Sequence, residues 1–137
     1  MTLAQALAEN GIEYTSGGYR SAILQMRVNL KLEESQLKCS SVTEIVYWEI
    51  DSVGNATTPE RDGVICCTEK GLLFLCPADD AIATAKLVRK FDIRVYGYKS
   101  KLFKTIFTIK LSDGGICFSV PKKIAGTLDK EIEKVRI

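Results

Sequence analysis

Two apolar runs joined by a very short polar link constrain this chain more than anything else in it. Gly63-Val64-Ile65-Cys66-Cys67-Thr68 and Leu72-Leu73-Phe74-Leu75-Cys76 flank Glu69-Lys70-Gly71. Runs of this length, rich in bulky apolar residues and bounded by turn formers, read as strands, and a short glycine-bearing loop between them closes a β-hairpin. The same pattern extends to both sides. Residues 42–50, Val42 to Ile50, are dense in β-branched and aromatic side chains, which favour a pleated surface. Asp51 to Asp62 carries Gly54, Asn55 and Pro59 and reads as a loop, and Pro77-Ala78-Asp79-Asp80 breaks the chain again. Phe91, Ile93 and Val95 alternate with Asp92, Arg94 and Tyr96, and Gly97 to Ser100 form a turn. Phe103, Phe107, Ile109 and Leu111 then share one face of a strand whose other face holds Lys104, Ile106, Thr108 and Lys110. Asp113-Gly114 is a hairpin turn, answered by Ile116, Phe118 and Val120.

Helices bracket this β region. Thr2 caps residues 2–10, where Leu3 and Leu7 share a face and Gly11 ends the helix. Tyr14 to Arg20 read as a loop. In the next segment Leu24, Met26, Val28, Leu30 and Leu32 alternate strictly with polar residues, which predicts a strand although the residue types are good helix formers. At the other end Pro121 opens a helix with an apolar stripe of Ile124, Leu128, Ile132 and Val135. Gly126 in that helix predicts a close approach to the sheet. The expectation is one α+β domain, mainly β, over residues 1–137: an N-terminal extension and first element (1–41), a β meander (42–120) and a C-terminal helix (121–136). Its core is predicted to contain Phe74, Phe91, Ile93, Phe107, Ile109, Phe118, Leu128 and Ile132.

The stretch from Gly63 to Leu75 resembles the recurrent hairpin of bacterial pleckstrin-homology-like domains, which read roughly G-V-hydrophobic-x-hydrophobic-T-x-K/R-R-L-hydrophobic-F. Phe118-Ser119-Val120-Pro121-Lys122-Lys123 is similar to their strand-to-helix junction. The resemblance covers about residues 42 to 136, and Gly71 departs from it by replacing the usual basic residue. It implies a partly open, bent antiparallel β-barrel closed at one end by the C-terminal helix. It implies no ligand, because fold does not fix function.

The inventory of reactive side chains narrows the chemistry. The chain has no histidine, so Ser-His and Cys-His nucleophile pairs are impossible. Its five cysteines, Cys39, Cys66, Cys67, Cys76 and Cys117, are scattered and odd in number, which predicts reduced thiols rather than a disulfide framework or a zinc site. The acid pairs Glu33-Glu34 and Asp79-Asp80 read as solvated surface. No apolar run approaches a bilayer span, and the N-terminus lacks the basic region of a secretory signal, so a cytoplasmic protein is expected. Neither an enzyme nor a cofactor is expected.

Charge is distributed unevenly despite a net value of only +2. Residues 86–110 hold eight cations against the single acid Asp92, a net +7, while residues 31–62 carry a net −4. This reads either as solvated faces of a dipolar protein or as a docking surface for an acidic partner. The candidate partner-binding residues are Arg89, Lys90, Arg94, Tyr96, Tyr98, Lys99, Lys101, Lys104 and Lys110. Alternation predicts that Arg94, Tyr96 and Tyr98 lie beside Lys104, Ile106, Thr108 and Lys110 on one outward face. The leading expectation is a protein-interaction module of unidentified partner, with self-association as one form of it. The alternatives are an inhibitor encoded by a phage or mobile element against a host nuclease or defence complex, and binding of nucleic acid or anionic lipid.

Overall fold

A computed structural model describes residues 1–79 and 81–136; Asp80, from the second acid pair, and Ile137 lie outside the described residues. Seven strands are present: β1 (Cys39–Ile50), β2 (Arg61–Thr68), β3 (Gly71–Cys76), β4 (Thr84–Val88), β5 (Val95–Ser100), β6 (Lys104–Leu111) and β7 (Gly114–Pro121). They form one antiparallel sheet in the order β4-β3-β2-β1-β7-β6-β5. The long β1 serves two half-sheets, since Cys39 to Tyr47 pair with β2 and Val46 to Ile50 pair with β7. The expected α+β, mainly β architecture is therefore present, with a C-terminal helix α3 (Lys122–Arg136).

The sheet folds over on itself. β3 and β7 are three strand spacings apart, roughly 14 Å in a flat sheet. Yet the rings of Phe74 on β3 and Phe118 on β7 lie 5.5 Å apart. Phe118 in turn stacks on Phe107 of β6 at 5.0 Å. The inner faces of both half-sheets thus meet in one core, with Tyr47, Ile65, Phe74, Phe107, Ile109 and Phe118 fully buried. Ala125, Leu128 and Ile132 of α3 enter this same core, as the apolar stripe predicts. Gly126 does not mediate that approach: a Cβ built there meets nothing, so the residue faces solvent and the close-contact expectation is corrected. Gly71, by contrast, has φ 138°, and a Cβ there would sit 2.4 Å from the Val88 carbonyl oxygen. Only glycine lets β4 pass this close to the hairpin, which accounts for the missing basic residue.

A second core covers the outer face of the first half-sheet. Helices α1 (Leu3–Glu9) and α2 (Gly17–Gln25) pack Leu3, Leu7, Ala22, Ile23 and Met26 against Val64, Cys66, Leu73 and Leu75. Because β2 and β3 are enclosed on both sides, their sequences are apolar without alternation. The strand expected over residues 24–32 is instead the end of α2 followed by a π-helical turn (Met26–Leu30), which Lys31 terminates at φ 58°. Burial follows the helical spacing of Ala22, Ile23 and Met26, whereas the alternating Leu24 and Val28 are exposed. Arg27 then closes on buried Glu34, its Nε donating to Oε1 at 2.9 Å and its second guanidinium nitrogen reaching Oε2.

The core expectation fails at Phe91. That residue is 85% exposed, in a 3₁₀ turn (Lys90–Asp92) lying before β5. Ile93 packs only partly against the core, and Phe103 is 82% exposed at the β5–β6 turn. The apparent alternation of Phe91, Ile93 and Val95 crosses an element boundary and so carries no strand register. Residues 97–100 belong to β5 rather than to a turn, Arg61 and Asp62 already belong to β2, and residues 17–20 belong to α2.

Candidate interaction face

The register of β5 decides which of the predicted cations share a surface. Tyr96 lies opposite Ile109 and Tyr98 opposite Phe107, and directly opposed residues point to the same side of a sheet. Ile109 and Phe107 are core residues, so Tyr96 and Tyr98 lie on the inner side of β5, corrected from the outward face on which alternation placed them; Tyr96 is half-buried there, while Tyr98, nearer the end of the strand, stays 56% exposed. Their rings lie 6.2 Å and 5.3 Å from Phe107. The Tyr96 hydroxyl donates to Asp129 of α3 at 2.5 Å, and Arg136 covers the Tyr96 ring at 4.7 Å. Burial, reinforced by the neighbouring carboxylate, pushes the Tyr96 hydroxyl well above the usual phenol range. The physical reason for the flip is a slip of one residue, which exchanges the two faces of a strand.

The outward face is consequently built from a different set. From β5 it takes Val95, Gly97 and Lys99; from β6 it takes Lys104, Ile106, Thr108 and Lys110. Cys117 and Ser119 of β7 lie beside Thr108 and Ile106, and Trp48 and Val46 of β1 extend the row. Lys104, Ile106, Thr108 and Lys110 therefore do face outward together, and Lys99 joins them. The α1 and α2 helices pack on the other half-sheet, and α3 packs into the interior, so among the described residues no helix lies over this face. A Cβ built at Gly97, in its middle, meets nothing within 4 Å. The centre is apolar and the rim carries three lysines, for which no ion pair is found among the described residues. Trp48 and Val46 were not legible as members, because residues 42–50 carry apolar or aromatic side chains on both sides of the strand, and Val95 was assigned to the core by the slipped register of β5.

The remaining predicted residues are dispersed. Arg89 and Lys90 line a cleft of about 730 Å³ with Lys38, Lys70 and Lys134, beside the β2–β3 turn and the end of α3. Arg94 lines a smaller crevice between the end of β4, the 3₁₀ turn and the end of β6, and Lys101 sits at the β5–β6 turn. The nine predicted residues thus occupy several places, and only Lys99, Lys104 and Lys110 share the outward face.

A further cleft of about 820 Å³ opens at the β1–β2 and β3–β4 connections. Its rim carries Glu60, Asp62 and Asp79, with Ile82 80% exposed beside them. Its floor is held by Arg61, whose guanidinium donates to the carbonyls of Ile82 at 2.8 Å and Pro77 at 2.6 Å. The Tyr47 hydroxyl and Arg61 Nε are buried there without a hydrogen-bond partner among the described residues. Burial and the nearby Glu49 carboxylate raise the Tyr47 hydroxyl far above the usual phenol range.

All five cysteines are free and buried. Burial pushes the Cys67 and Cys76 thiols up to about 11, so both are neutral at pH 7. No helix among the described residues is long and apolar enough to cross a membrane. No family model, no curated protein and no solved structure matches the chain.

Proposed function

We propose that this chain is a non-enzymatic protein-interaction module built on a pleckstrin-homology-like barrel, and that it docks its partner on the outward face of β5, β6, β7 and the end of β1. The observation that carries the reading is the contrast between the two outer faces. One is sealed by α1 and α2, while the other leaves Trp48, Ile106 and Val95 uncovered within a rim of Lys99, Lys104 and Lys110. An apolar centre containing an aromatic side chain, with a charged rim, is the composition of protein interfaces. The lysines favour a partner with acidic residues around its own contact. The barrel part of the proposal is supported by the strand order, which runs as a meander with β1 joined to β7, and by burial of α3 against both half-sheets.

The test compares proteins captured from source-cell lysate by the wild type, by Ile106→Asp and by a Lys38→Glu control far from the face. The expected result is a partner retained by the wild type and the control and lost by Ile106→Asp. Hydrogen exchange in the isolated complex should then show protection confined to residues 46–48, 95–99, 104–110 and 117–119. Capture that is indifferent to Ile106→Asp, in protein shown to remain folded, would place the interface elsewhere.

A further inference from the structure

The β5–β6 turn and the acidic cleft are complementary in both charge and polarity, and they cannot meet within one molecule. The turn projects Leu102, 78% exposed, and Phe103, 82% exposed, between Lys99, Lys101 and Lys104. Lys122 and Lys123 follow beside it, because Lys104 pairs with Pro121 and the Lys122 amide donates to the Phe103 carbonyl at 3.2 Å. The cleft offers the converse: Glu60, Asp62 and Asp79 around an opening lined by Pro59, Ala81 and Ile82. Connections between antiparallel neighbours fall alternately at the two ends of the strands. With β1 antiparallel to both β2 and β7, the β1–β2 and β3–β4 connections lie at one end and the β5–β6 turn at the other.

We infer that the β5–β6 turn of one copy docks into the acidic cleft of a second copy, giving head-to-tail self-association. Two observations point to an occupant of this kind. Leu102 and Phe103 are adjacent bulky apolar residues at a projecting tip, a costly arrangement in water that an apolar-lined cleft relieves. The cleft, at about 820 Å³, has ample room for both side chains. Lysines flanking the tip then face the carboxylates of the rim, which fixes polarity and excludes tip-to-tip or cleft-to-cleft pairing by like-charge repulsion. Such an interface is heterologous. Each copy keeps one free tip and one free cleft, so association continues into a ring or an open chain rather than stopping at a two-fold dimer. It shares Lys99 and Lys104 with the rim of the partner face proposed above but uses neither Ile106 nor Trp48, so Ile106→Asp separates the two: it should abolish partner capture and leave self-association intact.

The experiment is sedimentation equilibrium over about 10 µM to 1 mM protein. The wild-type mass should climb with concentration in about 0.1 M salt and shift toward the monomer in about 1 M salt. A tip variant, Leu102→Ser with Phe103→Ser, and a cleft variant, Glu60→Lys with Asp62→Lys, should each weaken association by about tenfold or more. Their equimolar mixture is decisive. The tip variant retains a cleft and the cleft variant retains a tip, so the mixture should form a 1:1 heterodimer and nothing larger. As all four positions are exposed, far-ultraviolet circular dichroism should match the wild type. If the serine pair disturbs the turn, Lys101→Glu with Lys104→Glu serves as the tip variant; mixed with the cleft variant it should restore association through reversed charge. A wild type that stays monomeric at 1 mM, or a mixture that stays monomeric, overturns the inference. So does a monomeric wild type that pellets with phosphatidylglycerol vesicles through Leu102 and Phe103, which would assign the tip to a membrane surface instead.

Discussion

The two half-sheets share β1 and one core, yet they are finished differently on the outside. In the first, β2 and β3 are enclosed between the aromatic core and the N-terminal helices, and every residue of β3 is buried. In the second, β6 alternates, with Thr105, Phe107 and Ile109 buried while Lys104 and Lys110 are exposed. A strand buried on both faces is fixed by packing from two sides; a strand buried on one face leaves the other to solvent or to a partner. β2 and β3 are thus scaffold on both faces, whereas β6 has a face to spare for recognition.

Adjacent residues on one strand point to opposite faces, so neighbouring substitutions test this contrast most directly. In β3, Phe74 enters the aromatic core and Leu73 enters the core beneath α1 and α2. Phe74→Ala should cost about 3–5 kcal/mol and Leu73→Ala about 2–5 kcal/mol, measured by denaturant unfolding. In β6 the corresponding pair should split. Phe107→Ala should again cost about 3–5 kcal/mol, whereas half-buried Ile106→Ala should cost less than about 1 kcal/mol. Equal losses at Ile106 and Phe107 would mean that the outward face is covered in the folded protein, and the comparison would collapse.

The same contrast explains how far the sequence could be read. Two-sided burial writes itself as an unbroken apolar run, which is why the hairpin of β2 and β3 was legible from residues 63–76. The C-terminal helix was legible because Leu128 and Ile132 repeat at helical spacing. One-sided strands depend on register, and register failed at β5: Phe91 and Ile93 belong to the 3₁₀ turn and its exit, so counting from them inverted Tyr96 and Tyr98. For α2 the accident ran the other way. Leu24, Met26 and Val28 alternate by chance, while the residues that pack, Ala22, Ile23 and Met26, follow the helix. β4 gave no signal, having only five residues and Lys86 in its middle. Of the candidate site, Lys104, Ile106, Thr108 and Lys110 were legible as one outward face, whereas Lys99, named among the binding residues, joined that face only through the register of β5. Trp48 was not legible, because nothing in residues 42–50 distinguishes an inward from an outward side chain.

The cover over the first half-sheet should also respond to pH. Glu34 is 7% exposed and is held by Arg27, whose hydrogen bonds keep its carboxyl below the usual carboxylate range. A depressed folded-state value means that this pair stabilises the protein above the unfolded carboxylate value of about 4.3, and that its contribution fades as the pH falls through the folded value. The stability difference between wild type and Glu34→Gln should therefore be largest near neutrality and shrink below about pH 4. Unfolding midpoints across about pH 3–7 would show it; a difference that stays constant would mean that Arg27 does not hold Glu34 in solution.

The smallest expected effect on stability falls on the rim of the outward face. Lys104 and Lys110 are exposed, both lie on β6, and no acid is found paired with either among the described residues. Lys104 stands beside Lys99, Lys122 and Lys123, so its local field is one of mutual repulsion, screened over about 10 Å at ordinary salt, while Lys110 lies at the far end of β6 opposite Val95 and Gly115. Reversing two of these charges removes repulsion and breaks no observed contact. Lys104→Glu with Lys110→Glu should therefore change unfolding stability by no more than about 0.5 kcal/mol, and a slight gain is the direction that screening leaves open. Partner association should behave otherwise. Rim charges act chiefly on the encounter, so the association rate should fall and its dependence on salt should flatten or reverse sign, with a smaller change in dissociation. Loss of stability of the size expected for Phe107→Ala would show that these lysines hold the sheet together. A neutral effect on stability joined to slower binding would separate the recognising half-sheet from the supporting one by two lysines.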